Sequence, residues 1–370
     1  MIYKVIEDKT ITWFENTNQY TILEHTTADI IKRLQKEVPV KDIAKTLSKK
    51  IAAPEDKTVD FILDIKEQFL SKKKNENSAF NDYRDIKTPT HFSVEKYYQI
   101  NDIVFKVSFL SDEELFLIHP KFSHLEVDET TIYKHNFQVF TNHNFIFLVV
   151  NNNLIGSWSQ KEIHYFQGKF SMEMIQKIHQ KEEEQWMGVF HASAISNTKK
   201  SVLFLGDSGN GKSTSLAILQ ANGFTCLADD FVPMDANKQE VYSFPAAISI
   251  KKNSVETLLP LYPELETTAE YHFERLNKIV RFLKPNNANF GLHLPCNELV
   301  FIKYEKDADL SFTTISKIDA FQQLVPDSWL SPKKENAKIF LNWFATVTCY
   351  QLRYSKNEEM IATVNQLFEE

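Results

Sequence analysis

One stretch of eight residues constrains this chain more than any other. Gly206, Asp207, Ser208, Gly209, Asn210, Gly211, Lys212 and Ser213 spell G-x-x-x-x-G-K-S. Residues 201–205 before it form an apolar run of strand length, and residues 214–220 after it read as a helix opening at Thr214. Strand, glycine-rich loop and helix are the context in which this pattern cradles phosphates. Glycine lets the backbone curl round an anion and turn its N–H groups inward. The helix N-terminus adds a positive dipole end. In such a loop Lys212 reaches the terminal phosphates and the Ser213 hydroxyl ligates Mg²⁺. The chain has only eight glycines, so three within this loop are not idle scatter.

Bulk properties narrow the remaining choices. A length of 370 residues predicts two or three domains. The net charge of −7 disfavours nucleic acid as a partner. Of 42 basic residues only five are arginine, so each arginine position carries information. No apolar run approaches the roughly 18–20 residues of a membrane span, and residues 1–10 lack a signal-peptide core. Cys226, Cys296 and Cys349 stand far apart without a C-x-x-C pair. This argues against disulfides or a thiolate metal site and fits a cytoplasmic protein. Self-association stays open.

Taken in order, residues 1–72 read as one small domain. Short β-type runs at 11–14 and 20–23 flank a polar turn, a hairpin pattern. Three amphipathic segments follow, carrying Ile30, Ile31 and Leu34, then Ile43, Ala44 and Leu47 after Pro39, then Ile62, Ile65 and Phe69 after Pro54. A hairpin with three short helices is winged-helix-like, but no strongly basic recognition helix appears. Residues 73–93 read as an exposed polar linker. Residues 94–185 form a β-rich part, with antiparallel strands expected at 103–109, 115–118, 137–140, 145–150, 154–158 and 162–166. Asn151, Asn152 and Asn153 mark a tight turn, and a helix is expected over 171–186. The histidines in this region match no metal spacing. Residues 186–370 contain the loop and read as the chemical core.

Two further features surround the loop. His191 sits upstream in an apolar β-type run, and Asp229 and Asp230 close the next strand downstream. Acids at a neighbouring strand's carboxyl end are where phosphate-loop enzymes hold Mg²⁺. Strand register decides which of the two faces which way. Arg275 and Arg281 lie close together in the same half and are candidates to clamp phosphate. Residues 285–294 read as a mobile loop.

Two resemblances are carried by these residues. The run ITWFENTNQYTILEHTTADIIKRL with the segments after it resembles the PqqD-like family, whose members recognise leader peptides of ribosomally made, modified peptides. That implies an extended peptide added to the hairpin edge or its flanking helix groove. The order His-Ala-Ser at 191–193, G-D-S-G-N-G-K-S at 206–213, A-D-D at 228–230, then Phe244-Pro245 before an apolar β-run, resembles HPr kinase/phosphorylase and HPr-kinase-like proteins. It implies an α/β fold with a P-loop core of the phosphoenolpyruvate carboxykinase/HPr-kinase kind, preceded by the winged-helix-like domain. It also implies ATP- and Mg²⁺-dependent phosphorylation of a serine hydroxyl on a protein or precursor peptide. Carried over, 206–213 with Thr214 is the nucleotide loop, Asp229 the base, His191 the group bonding Asp229, and Asp230 the metal acid beside Ser213. Beside these, Lys212 is expected to stabilise charge on the transferring phosphoryl group, with Arg281 as the candidate arginine to clamp it. The family's arginine-glycine segment is not visible here, which leaves HPr itself and the reverse reaction without support.

A guanine-specific switch is excluded by the lack of N-K-x-D and D-x-x-G runs. A non-enzyme alternative remains, a peptide-binding scaffold that nucleotide merely regulates.

Overall fold

The computed structural model describes residues 1–71, 86–273 and 278–369. Most of the expected linker, and Arg275, lie outside the described residues. The chain is a mixed α/β protein with four sheets among the described residues.

The strand Ser201–Leu205 explains the central layer. All five residues are buried, because both faces of the strand are covered. Leu203 and Leu205 join Leu299 and Phe301 and the helix Lys334–Thr346 on one side. Val202 and Phe204 join Val300 and Ile302, and the helices Lys212–Ala221 and Asn357–Glu369, on the other. A strand covered on both faces reads as a continuous apolar run, not an alternating one. It pairs antiparallel with Ser193–Ser196 and parallel with His293–Tyr304. The latter also pairs parallel with Thr348–Tyr354, while its first residues meet Glu240–Tyr242 antiparallel. The strand Thr225–Asp229 closes the other end beside Ser193–Ser196.

The region 94–159 forms a six-stranded sheet, and here three expectations give way. Residues 115–118 lie in the helix Asp112–Phe122, not in a strand. Residues 162–166 open the helix Ile163–His179, which ends before the expected 186. The first start, and the 3-10 turn Gln160–Glu162 that leads into the second, carry the same sequence signal, Ser-x-x-Glu, in which the two residues satisfy each other's exposed backbone donors. The Ser111 N–H donates to Glu114 at 2.8 Å and the Ser159 N–H to Glu162 at 3.0 Å. The first helix also makes one pair parallel where antiparallel was expected, Ile103–Phe109 with His135–Asn142, because a helical crossover returns the chain in the same direction. The asparagine turn is a two-residue hairpin loop, with Asn151 at φ 49° and Asn152 at φ 67°.

The first 70 residues form a three-stranded sheet, with Ile2–Ile6 pairing the hairpin, and helices His25–Gln35, Val40–Ile51 and Glu55–Leu70. This unit is not held by its tether alone. Ile6, Ile11 and Trp13 belong to the same apolar core as the central layer. Tyr20 packs edge-on against Phe340 at 5.3 Å, and the Asn18 amide donates to the Leu330 carbonyl at 2.9 Å. A second small three-stranded sheet, Ile248–Lys251, Lys278–Leu283 and Tyr271–Phe273, faces the loop across the cleft. Of residues 285–294, expected to be a mobile loop, His293 and Leu294 begin the strand His293–Tyr304, and Asn286 is bonded on two sides: it accepts from the Cys226 N–H and donates to the Phe224 carbonyl.

This packing sets a pH dependence. Burial among Trp186 and Tyr242 lowers His179 to about 4, its Nε2–H donating to the Ser243 carbonyl. Burial, then the Lys284 charge, lowers His124 to about 4. The unfolded chain takes up these protons near pH 6.5, whereas the folded chain refuses them until about pH 4. The contribution of these two histidines is therefore whole above pH 6.5 and is lost as pH falls through that window, and His179→Gln should remove its share of that loss from the pH dependence of the thermal midpoint. An unchanged pH slope in the His179→Gln variant would remove His179 from the account. Gly168 lies inside the helix Ile163–His179 with open space where a Cβ would stand. Gly168→Ala should raise stability by about 0.5–1 kcal/mol in denaturant titrations.

Candidate active site

The glycine-rich loop turns between Ser201–Leu205 and Lys212–Ala221 with Gly206, Gly209 and Gly211 at φ 132°, 104° and 96°. Side chains avoid this left-handed region, so these glycines answer a backbone requirement. At Gly206 a Cβ would also stand 2.8 Å from the Ile302 carbonyl oxygen. The loop is held from below by neighbouring strands. The Tyr304 N–H donates to the Asn210 carbonyl at 3.0 Å, and the Ser215 hydroxyl, in the first turn of the helix, lies 2.8 Å from the buried Tyr354 hydroxyl.

Lys212 is buried, its ammonium folded back on the Gly206 carbonyl at 2.6 Å. Burial lowers its pKa, against the opposing charges of Asp230 and Asp229. His191, Ser208, Lys212, Ser213 and Asp230 line one cleft, together with Ser249, Lys251 and Lys278 from the small sheet.

The two aspartates diverge. Asp229 is the last residue of its strand and is buried. One carboxylate oxygen accepts from Ser193 at 2.6 Å and from Ser213 at 3.1 Å; the other accepts from the Ser249 N–H at 3.2 Å. Burial, then the Asp230 charge, raises its pKa to about 6, and the three donors limit the rise. Asp230 leaves the strand with φ 62° and lines the cleft. Aspartate is one of the few residues that tolerate that conformation. Burial pushes its carboxyl up, but Lys121, Lys278, His191 and Lys212 together hold it below the ordinary range.

This geometry corrects three expectations. Asp229, not Asp230, stands beside the Ser213 hydroxyl. His191 approaches the Asp230 carbonyl, with Nδ1 3.4 Å away, and does not bond Asp229. The reason for both is that the strand's register ends at Asp229, so its side chain points down to the loop helix while Asp230 turns outward. Arg281 is not in the cleft. Its guanidinium donates to the carbonyls of Leu265 and Glu266 and lies 3.7 Å from Glu270. Of the loop residues, Thr214 turns its hydroxyl to Ser254 at 3.0 Å. Sequence reasoning gave Ser193 no role of its own and missed Ser249, Lys251 and Lys278. The first two are small polar residues in apolar strands, a pattern that names no partner. The lysines are lost among a lysine-rich composition.

Among the described residues no group of three or more His, Cys, Asp or Glu is arranged to hold a metal ion. No helix among them is long and apolar enough to cross a membrane.

No family model matches this chain. No curated protein matches it. Among solved structures, the Hpr(Ser) kinase/phosphatase from Coxiella burnetii is similar at 12% identity, over 48% of this chain and 96% of that one, with a TM-score of 0.21. A likeness of that grade carries no argument about this chain.

The loop geometry yields its own test. Gly206→Ala combines a left-handed backbone with a blocked Cβ position. It should destabilise the protein by about 1–3 kcal/mol in denaturant titrations. A variant as stable as the parent would contradict this backbone path.

Proposed function

We propose that this chain is a kinase that moves the terminal phosphoryl group of ATP to a serine hydroxyl on a peptide or small protein, with Mg²⁺ bound at the loop. The observation that carries this reading is the division of labour between the adjacent acids. One is bonded to the loop's hydroxyl and the other opens to the cleft.

The chemistry of the donor set supports each binding step. Three left-handed glycines and the start of the helix Lys212–Ala221 suit an anion. The Ser213 hydroxyl and the Asp229 carboxylate, 3.1 Å apart, are oxygen donors of the kind Mg²⁺ takes. When bound there, Mg²⁺ would neutralise charge on the phosphate oxygens. Lys212 would leave the Gly206 carbonyl for a phosphate oxygen. Asp230 would accept the serine proton as the serine oxygen bonds the terminal phosphorus and the bond to ADP breaks. With the Lys121, Lys278 and Lys212 charges holding its carboxyl below the ordinary range, Asp230 is ionised and ready to accept. His191, against its carbonyl, would fix its orientation. This reverses the roles expected from sequence, and the reversal rests on hydrogen bonds. The groove between His25–Gln35 and Val40–Ile51, lined by His25, Asp29, Arg33 and Lys50, is where we place the acceptor's leader segment.

The experiment is phosphoryl transfer from labelled ATP to serine peptides, with Mg²⁺ titrated. Asp229→Asn should weaken Mg²⁺ binding and be partly rescued by excess Mg²⁺. Asp230→Asn should keep Mg·ATP affinity and lose about 10²–10⁴-fold in kcat. Rescue of the Asp230 variant instead would restore the opposite assignment. Lys212→Ala should abolish turnover while leaving the thermal midpoint near that of the parent; full activity would sink the loop as the active site. ATP binding without transfer to any serine acceptor would favour the nucleotide-regulated scaffold.

A further inference from the structure

The cleft holds more positive charge than the loop motif accounts for. Lys251 ends the strand Ile248–Lys251, and its ammonium donates to the Ser208 hydroxyl, on the loop's exposed turn, at 2.9 Å. Lys278 begins the strand Lys278–Leu283 and lines the same cleft as Asp230 and Lys212.

The register of the small sheet shows that this is one arrangement and not two accidents. The two strands run antiparallel with Lys251 opposite Val280 and Ile250 opposite Arg281. Residues directly opposite share a face, and so do residues two apart on one strand. Lys251, Ser249, Val280 and Lys278 therefore occupy one face, and that face looks onto the loop. Arg281, three positions from Lys278, falls on the other face, where it bonds the carbonyls of Leu265 and Glu266. The arginine anchors the strand, and the lysine is left to serve the cleft. Lys252, which opens the 3-10 turn after the strand, lies 3.6 Å from Glu270. Lys251, by contrast, is bonded to a hydroxyl, and among the described residues it forms no ion pair with a carboxylate.

A lysine bonded to a neutral hydroxyl gives up little when a phosphate oxygen replaces that partner, because a charge-assisted bond is the stronger of the two. Its flexible stem carries a compact charge suited to following a phosphate. We propose that Lys251 and Lys278 are phosphate-directed residues with separate tasks. Lys251 exchanges Ser208 for the terminal phosphates of the bound nucleotide. Lys278, beside Asp230, counters the charge of the phosphoryl group while it moves to the acceptor oxygen. This rests on the kinase reading above. It assigns to lysines on a sheet face the work that the sequence suggested for arginine.

The test uses the full chain, with ATP and AMP as probes in calorimetry and with labelled ATP in turnover. Lys251→Gln should weaken ATP binding about tenfold, the loss of one charge-assisted contact. It should leave AMP binding, which lacks the terminal phosphates, unchanged. Lys278→Gln should keep ATP affinity within about twofold and lower kcat about 10²-fold, for serine peptides or for water as acceptor. Lys278→Arg should recover most of that rate. Unaltered ATP affinity in Lys251→Gln, or equal loss for ATP and AMP, overturns the first task. Unaltered kcat in Lys278→Gln overturns the second, and so does a fall in ATP affinity of the same size as the fall in rate. If the parent chain binds ATP but neither transfers nor hydrolyses it, the kinase reading and the Lys278 task fail together. The ATP-against-AMP comparison still judges Lys251.

Discussion

One buried carboxylate ties the site together. Asp229 receives a hydroxyl from Ser193, a hydroxyl from Ser213 and the backbone N–H of Ser249. Those three donors come from an edge-side strand, the helix after the glycine loop and the small sheet that covers the cleft. A charged group can be buried only if such partners replace its water. Each donor is therefore fixed by the carboxylate as much as the carboxylate is fixed by them. Losing one would leave the others facing an uncompensated charge, a loss of roughly 1–3 kcal/mol per unmatched group.

Placing a second aspartate directly after the first adds a repulsion that the rest of the cleft must answer. Burial first, and then the Asp230 charge, pushes Asp229 up, while the groups around Asp230 hold that carboxyl down against its own burial. The groups that hold Asp230 down come from four separate places: Lys121 on the helix Asp112–Phe122, His191 at the bend before Ser193–Ser196, Lys212 on the loop helix and Lys278 on the small sheet. Distant segments of chain thus converge on one carboxyl. The left-handed backbone of Asp230 lets that happen: pairing ends with Asp229 opposite Ser193, and Asp230 turns out of the strand into the cleft.

Much of this was legible in the sequence where a local rule fixes local shape. The glycine loop, the hairpin at its asparagine turn and the helices after Pro39 and Pro54 follow from backbone preference and apolar spacing. The strands wrongly expected at 115–118 and 162–166 were apolar runs too short for periodicity to distinguish strand from helix. The capping pairs Ser111–Glu114 and Ser159–Glu162 decided them, and both are visible in the sequence to a reader looking for them. What was not legible is parity. Which aspartate faces the loop, and whether Lys278 or Arg281 faces the cleft, depends on register between strands far apart in sequence. A shift of one residue reverses every such assignment.

The first 70 residues bear on how a captured peptide would meet the cleft. A module on a flexible tether raises the local concentration of its cargo by an amount that linker length sets. Here Trp13 is fully buried, Tyr20 packs on Phe340, and the Lys317 N–H donates to Glu7 at 2.7 Å. These contacts bind the unit to the helix Lys334–Thr346 and its surroundings along its sheet, well beyond a single point. The helix Lys334–Thr346 leads directly into Thr348–Tyr354, whose Tyr354 hydroxyl meets Ser215 under the glycine loop. The separation between the N-terminal groove and the cleft is therefore set by packed secondary structure. Under the proposed reading, the acceptor serine's reach is a fixed length of peptide measured from its leader, and the length of the segment joining the two units is not what determines it.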